Sequence, residues 1–313
     1  LADFNGNLLY WRVRALDYGG NAIGVFSDAE ELYIDHKQMQ VIKPVSNTGY
    51  RAAGMPMPLY PVYAWIPLAG ASQYEIEVTS APPENPNSVE PSVYRIQKLK
   101  VGPVFDCYDE KPYISPGTYY WRVRGLDEEG NSFGVYSDTE PFVVDLSTGE
   151  YAATFGDSIT HGGGAVSYSP ADIEYDYQAY LSFPAANLGK SGDTSEAMLN
   201  RFHTDVLPYH PKYLLIMGGT NSLRGGIPAE QVIAELRGIR ERCLQNGVRP
   251  IFLTLPPVNP ANIYKVFNEE TAPQWQQEFA KVNDFIRKQR YYIDLEPYFV
   301  NTEQELPTYY AVD

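Results

Sequence analysis

Cysteine is almost missing from this chain. The two present in 313 residues are Cys107 and Cys243. They fall in regions of different character, so a structural disulfide is not expected, and the pair leaves the redox compartment open. Cys243 is in helical register with Val232, Leu236 and Ile239, which reads as a small buried hydrophobe. Histidine is nearly as scarce, with His36, His161, His203 and His210 only. No His/Cys/Asp cluster has metal-ligand spacing, so neither a metal nor a cofactor is expected. Cations are short as well: 24 Lys and Arg against 39 Asp and Glu give a formal charge of -15. That deficit argues against a nucleic-acid partner, since there is no basic surplus to release counterions from a phosphate backbone. It suits an exposed, soluble surface. No apolar run approaches the roughly 20 residues of a membrane helix. The sequence opens at Leu1 without methionine, basic n-region or signal h-region. Because it opens inside a repeat, it reads as a piece of a longer chain, and says nothing about export.

What is abundant is tyrosine, at 26 residues, in a chain that is 44% hydrophobic and long enough for two or three domains. Tyr10-Trp11-Arg12-Val13-Arg14-Ala15-Leu16-Asp17 recurs as Tyr120-Trp121-Arg122-Val123-Arg124-Gly125-Leu126-Asp127. Gly20-Asn21, Gly24-Val25 and Ser27-Asp28 return as Gly130-Asn131, Gly134-Val135 and Ser137-Asp138. A constant offset of this size is a whole β-sandwich module rather than a solenoid unit. Inside it the period is two. Tyr119, Trp121 and Val123 point one way, and Tyr120, Arg122 and Arg124 the other. The run resembles the last two strands of fibronectin type III modules. That resemblance covers 42–146 as one complete module and 1–38 as the tail of an earlier one. It implies a spacer, with glycan binding as the sharper alternative. Trp11 and Trp121 stand at inward positions and are expected in the core, which weakens that alternative.

From Gly149 the period changes. Unbroken apolar runs at 151–155, 182–188, 212–217, 251–255 and 291–295 alternate with helical stretches at 195–206, 228–245 and 273–289. Runs without alternation are parallel strands buried on both faces, so the region is expected to be an α/β three-layer sandwich around a five-stranded parallel sheet. Three of its strands run into loops at the carboxyl edge, where ligands bind in open sheets. The first loop is Gly156-Asp157-Ser158, the second Asn187-Leu188-Gly189-Lys190-Ser191-Gly192, the third Gly219-Thr220-Asn221. They offer a hydroxyl, a glycine N–H that can approach a ligand closely, and an amide donor. Together these are what acyl transfer needs.

In that order and phase the loops resemble the SGNH, or GDSL-type, serine hydrolases, over about 149–313. The resemblance implies the flavodoxin-like SGNH fold, Ser158 as nucleophile, and an oxyanion hole from Gly189, Asn221 and the Ser158 N–H. Ser222 stands where the family usually has Asp, at a supporting position. The family carries its base in a late Asp-x-x-His block. Asp313 sits where that aspartate belongs, and the histidine would fall three residues further on, beyond this sequence. His161 is the only local rival as base. Asp294 is a poorer rival to Asp313, and Asp157 is expected to shape the turn. The implied activity is an extracellular, secreted or cell-surface esterase with an ester substrate, such as an acetylated or acylated cell-wall polysaccharide. Lipids rank lower. Tyr168, Tyr175, Tyr177 and Tyr180 are candidates for one wall of the cleft, or for ordinary packing. The alternative is a non-catalytic surface or adhesion protein that uses the same fold as a building block.

Overall fold

The repeated Tyr-Trp-Arg-Val-Arg run builds the same hairpins twice. The computed structural model describes residues 8–16, 20–33, 41–47, 56–162 and 176–311. Among the residues singled out above, Asp313, His36, Tyr168 and Tyr175 lie outside them. The chain forms two compact units, Leu1–Ile42 and Lys43–Asp313. In the first, strand Leu8–Trp11 pairs antiparallel with Glu30–Tyr33, Trp11 opposite Glu30. In the second, Gly117–Leu126 pairs with Glu140–Val144, Trp121 opposite Glu140. Ala15–Leu16 with Ala22–Ile23 matches Gly125–Leu126 with Ser132–Phe133 in the same way. Even the polar details repeat. Ser27 Oγ accepts from Val13 N, and Ser137 Oγ accepts from Val123 N. Arg12 and Arg14 lie over the Phe26 ring; Arg122 and Arg124 lie over Tyr136.

The two copies differ in cover. Trp121 is 2% exposed as expected, whereas Trp11 is 49% exposed. Trp121 faces a second sheet of Val45–Ser46, Val62–Ile66 and Asp106–Tyr108. Its core is filled by Tyr63, Trp65, Ile76, Val78, Val123 and Phe142. Two hairpins alone cannot bury such a face.

The opposite face of the module is not solvated, contrary to simple alternation. Arg122 is 1% exposed. Its guanidinium pairs with Glu77 at 2.7 Å and donates to the carbonyls of Asn85, Pro86 and Glu90. Breaking a buried pair leaves an uncompensated charge. Glu77→Ala is therefore expected to cost about 3–5 kcal/mol, while Arg95→Ala, the outer partner of Glu77, should cost under about 1. Urea unfolding of the two variants checks this; equal effects would rule out a buried-pair role.

The α/β region holds strands β1 (Ala152–Gly156), β2 (Ala186–Asn187), β3 (Tyr213–Met217), β4 (Arg249–Leu253) and β5 (Tyr292–Ile293). All pairings are parallel, in the order β2-β1-β3-β4-β5. The first, third and fourth strands keep near the expected bounds. The expected strand at 182–188 contracts to β2, with Pro184 unable to donate to a ladder. The helices are α1 (Ser158–His161), α2 (Ser195–Asp205), α3 (Thr220–Arg224), α4 (Ala229–Gln245), α5 (Pro260–Phe267), α6 (Trp275–Arg287) and α7 (Glu296–Phe299). The cap of α2 is Thr194, whose side chain accepts from Ala197 N. His203 lies in the last turn of α2. The α4 face of Val232, Leu236, Ile239 and Cys243 is fully buried, and both cysteines are free.

Residues of the sandwich enter the α/β core. Leu59 and Tyr60 belong to that core, and Tyr108 packs against it. Leu59 N donates to the Asn187 carbonyl at 2.9 Å, and Tyr60 OH donates to Asp205 at 2.7 Å. The module is wedged into the α/β region rather than strung from it.

Candidate active site

The site starts from a strand that must end in glycine. A Cβ on Gly156 would lie 2.1 Å from both the Met217 carbonyl and Thr160 Oγ1. Asp157 follows as the N-cap of α1, its Oδ1 accepting from Ile159 N at 3.0 Å. Ser158 is the first residue of α1 and half-buried, and its hydroxyl is bonded to no other described residue. Gly162, at φ 93°, ends the helix after a single turn. The serine therefore stands at a sharp turn on the carboxyl edge of β1, at the N-terminus of α1.

The second loop is packed against the first. A Cβ on Gly189 would lie 2.3 Å from His161 N, so only glycine fits. Asn187 clamps this approach. Its Nδ2 donates to the His161 carbonyl, and its Oδ1 accepts from Gly189 N, both at 3.0 Å. The Gly189 N–H is thus engaged inside its own loop. Lys190 N donates to the Gly156 carbonyl at 2.9 Å. The third loop joins through Asn221, whose Nδ2 donates to the Asp193 carbonyl at 2.9 Å while its Oδ1 accepts from Arg224. One Nδ2 hydrogen of Asn221 is left for another acceptor. Ser222 Oγ accepts from Ser195 N, tying α3 to the start of α2. That is a supporting contact.

His161 is held elsewhere. It is fully buried, and its Nε2 lies 2.8 Å from the Tyr60 carbonyl, so that nitrogen carries the proton and donates. Its ring meets Tyr108 edge-on. Asp294 directly follows β5 and is likewise committed, to Arg287 through both oxygens and to Thr254 Oγ1. The last described stretch returns to the carboxyl edge. Leu306 N donates to the Val258 carbonyl, Asn259 Nδ2 donates to Leu306, and Asn262 Nδ2 donates to Ala311. Asp313, two residues on, lies outside the described residues. Tyr177 donates to Thr160 Oγ1 at 3.4 Å, which is packing, whereas Tyr180 is exposed.

Three contributors were not singled out from the sequence. Arg201 on α2 donates to the carbonyls of Gly156 and Leu188 and pairs with Asp193 and Asp205. The i,i+4 spacing of Arg201 and Asp205 on α2, with Asp193 just ahead of the helix, was the available signal. Tyr108 accepts from Ser191 N at 3.2 Å, and Tyr60 holds His161. No local pattern could have shown these two, because their partners lie far along the chain.

Under the site lies a buried acid. Asp157 is 1% exposed, and its Oδ2 has no hydrogen-bond partner. Burial pushes its carboxyl up to about 7; the Ile159 N–H and Arg201 oppose this, and Asp193 adds to it. The folded value exceeds the ordinary 3.8, so this contribution to stability is complete in acid and is lost as pH rises towards about 7. Stability measured by urea should fall across that interval, and Asp157→Asn, which mimics the protonated form, should lessen the slope. An unchanged slope would shift the effect to Asp176 and Asp193, which burial also raises.

A family profile described as GDSL-like Lipase/Acylhydrolase matches residues 154–313, the stretch that carries all three loops. The chain belongs to the GDSL-like lipase/acylhydrolase family. This GDSL-like chain is also 40% identical over 82 residues to the uncharacterized lipoprotein YqeF of Bacillus subtilis (strain 168), covering 24% of this chain and 34% of that protein. It thus spans about a third of the curated relative it matches. Among solved structures it is similar to a GDSL-like lipase from Bacteroides thetaiotaomicron, at 20% identity and a TM-score of 0.42, over 51% of this chain and 76% of that one. A lipase/acylhydrolase from Enterococcus faecalis aligns at 22% identity and a TM-score of 0.39, over 51% and 88%. The family is one of esterases and acylhydrolases.

Proposed function

We propose that the GDSL-like region cleaves a carboxylic ester through an acyl-serine intermediate on Ser158. The observation that carries this reading is the interlock of three strand-end loops around an unengaged hydroxyl: Lys190 N on Gly156, Asn187 on His161, and Asn221 on Asp193. Ser158 Oγ attacks the ester carbonyl and passes its proton to a base. The base is assigned to a histidine three residues beyond Asp313, in the family's Asp-x-x-His block, with Asp313 orienting it. The Ser158 N–H and the remaining Asn221 Nδ2 hydrogen face the developing oxyanion, and Gly189 N–H joins them by sharing its bond to Asn187. The alcohol leaves with the proton, and water then releases the acid. An acylated or acetylated cell-surface glycan is the substrate class assigned, in keeping with the acidic chain, the fibronectin-like module and a relative named a lipoprotein.

One observation favours the non-catalytic alternative. Gly189 N–H and one Asn221 N–H are both bonded within the protein. Incubating the full-length protein with a nitrophenyl phosphonate separates the two readings. Esterase chemistry predicts stoichiometric release of nitrophenol and a mass increase on the peptide containing Ser158. An unlabelled protein that is folded and hydrolyses no model acetate ester would leave the scaffold reading standing.

A further inference from the structure

A cavity opens at the amino edge of the sheet, the edge opposite Ser158. Its volume is about 670 Å³, and its lining includes Lys212, Arg240, Arg249 and Arg290 beside Phe252 and Tyr291. The topology explains the gathering. Lys212 precedes β3, Arg249 opens β4, Arg290 and Tyr291 precede β5, and Arg240 projects from α4. In a chain of net charge -15 this is an inversion of sign: no carboxylate lines the cavity. Among the described residues none of the four cations makes an ion pair. They are held by rings and an amide instead. Lys212 lies over Tyr151 and Tyr213. Arg249 lies over Tyr213 and Tyr291 and donates to Tyr213 OH. Arg290 lies over Tyr291. Arg240 donates from Nη1 to Gln289, while its Nε is buried with no hydrogen-bond partner.

Stacking on a ring fixes the plane of a guanidinium and leaves its N–H edge open. Four converging cations without counter-charge repel one another, so the arrangement is complete only around an anion. A single carboxylate would neutralise one of them. A phosphate ester brings up to two charges and three acceptor oxygens, matching several forks at once. The cavity falls within the roughly 300–1,000 Å³ of small-molecule sites, far more than a bare phosphate fills. The rest is walled by the ring of Tyr291 and the buried Phe252. We infer that this cavity binds an organic phosphate, with Arg240 and Arg249 holding the phosphate and Tyr291 facing the organic body.

Calorimetric titration of the full chain with glucose 1-phosphate, inorganic phosphate and glucose tests this. Glucose 1-phosphate should bind about tenfold or more tightly than inorganic phosphate, and glucose not at all. Arg240→Gln with Arg249→Gln should weaken the phosphate ester about 100-fold, roughly tenfold for each charge-assisted contact. Ester hydrolysis should be unchanged, since the variant lies at the far edge of the sheet. Should that variant fail to fold, Arg249→Gln alone, at an exposed position, carries the same expectation with a tenfold loss. No binding of either phosphate at millimolar concentration would overturn the inference. So would equal affinities for the two phosphates, or an affinity indifferent to the arginines.

Discussion

Ser158→Ala is expected to lower kcat for a model acetate ester by about 10⁴- to 10⁶-fold, with KM little changed. The size follows from the geometry. Ser158 carries a half-exposed hydroxyl at the end of β1, whereas Thr160 is buried and accepts from Tyr177. Removing Oγ removes the covalent route but leaves the N–H groups of α1 and the Asn221 amide in place. The residual rate should therefore stay above that of water by roughly 10³–10⁴-fold. Asn221→Ala should lose less, about 10²–10³-fold in kcat, the usual effect of one oxyanion donor. Steady-state kinetics on the full-length protein reads both. A Ser158→Ala enzyme with wild-type kcat would end the nucleophile assignment. Equal losses for both variants would mean that Asn221 supports the fold rather than the oxyanion.

Arg201→Ala should be the most destabilising single change in the α/β region. The guanidinium is about 10% exposed and pairs with Asp193 and Asp205. It also donates to the backbone at Gly156 and Leu188, the ends of two of the three loops. Its loss leaves two buried carboxylates without their counter-charge and takes a donor from each of two carbonyls, a cost of about 3–5 kcal/mol. For a unit of this size that is roughly a 10 °C fall in Tm by calorimetry. Arg201→Lys should recover little, because an ammonium cannot present four directed donors in one plane. A Tm within a degree or two of wild type would show that the strand ladders hold the loops unaided.

The sheet was legible because β1, β3 and β4 are buried on both faces, which leaves continuous apolar runs in the sequence. Gly156, Gly189 and Gly219 were legible because close approach admits nothing larger, and the structure meets them with backbone or packed side chains within 3 Å. The helix of Pro260–Phe267 was missed although Asn259-Pro260 is a cap followed by proline at the first turn. Other features had no local signature. Arg122 looks like a solvated strand residue until the chain at 84–92 covers it. Whether Gly189 N–H is open to a ligand or bonded to Asn187 depends on one side-chain torsion two residues away. The grip of Tyr60 on His161 and of Tyr108 on the second loop comes from residues that precede the GDSL-like region altogether.

That grip has a hereditary consequence. A crossover near Gly149 would part a plug, Leu59 and Tyr60, from its socket among Asn187, Asp205 and His161. Neither half would be left whole: one would carry a stray tyrosine, the other an open apolar hollow beside its nucleophile turn. The sandwich module and the hydrolase are therefore expected to pass between genomes as a single cassette, and any descendant that sheds the module must refill the socket with side chains of its own.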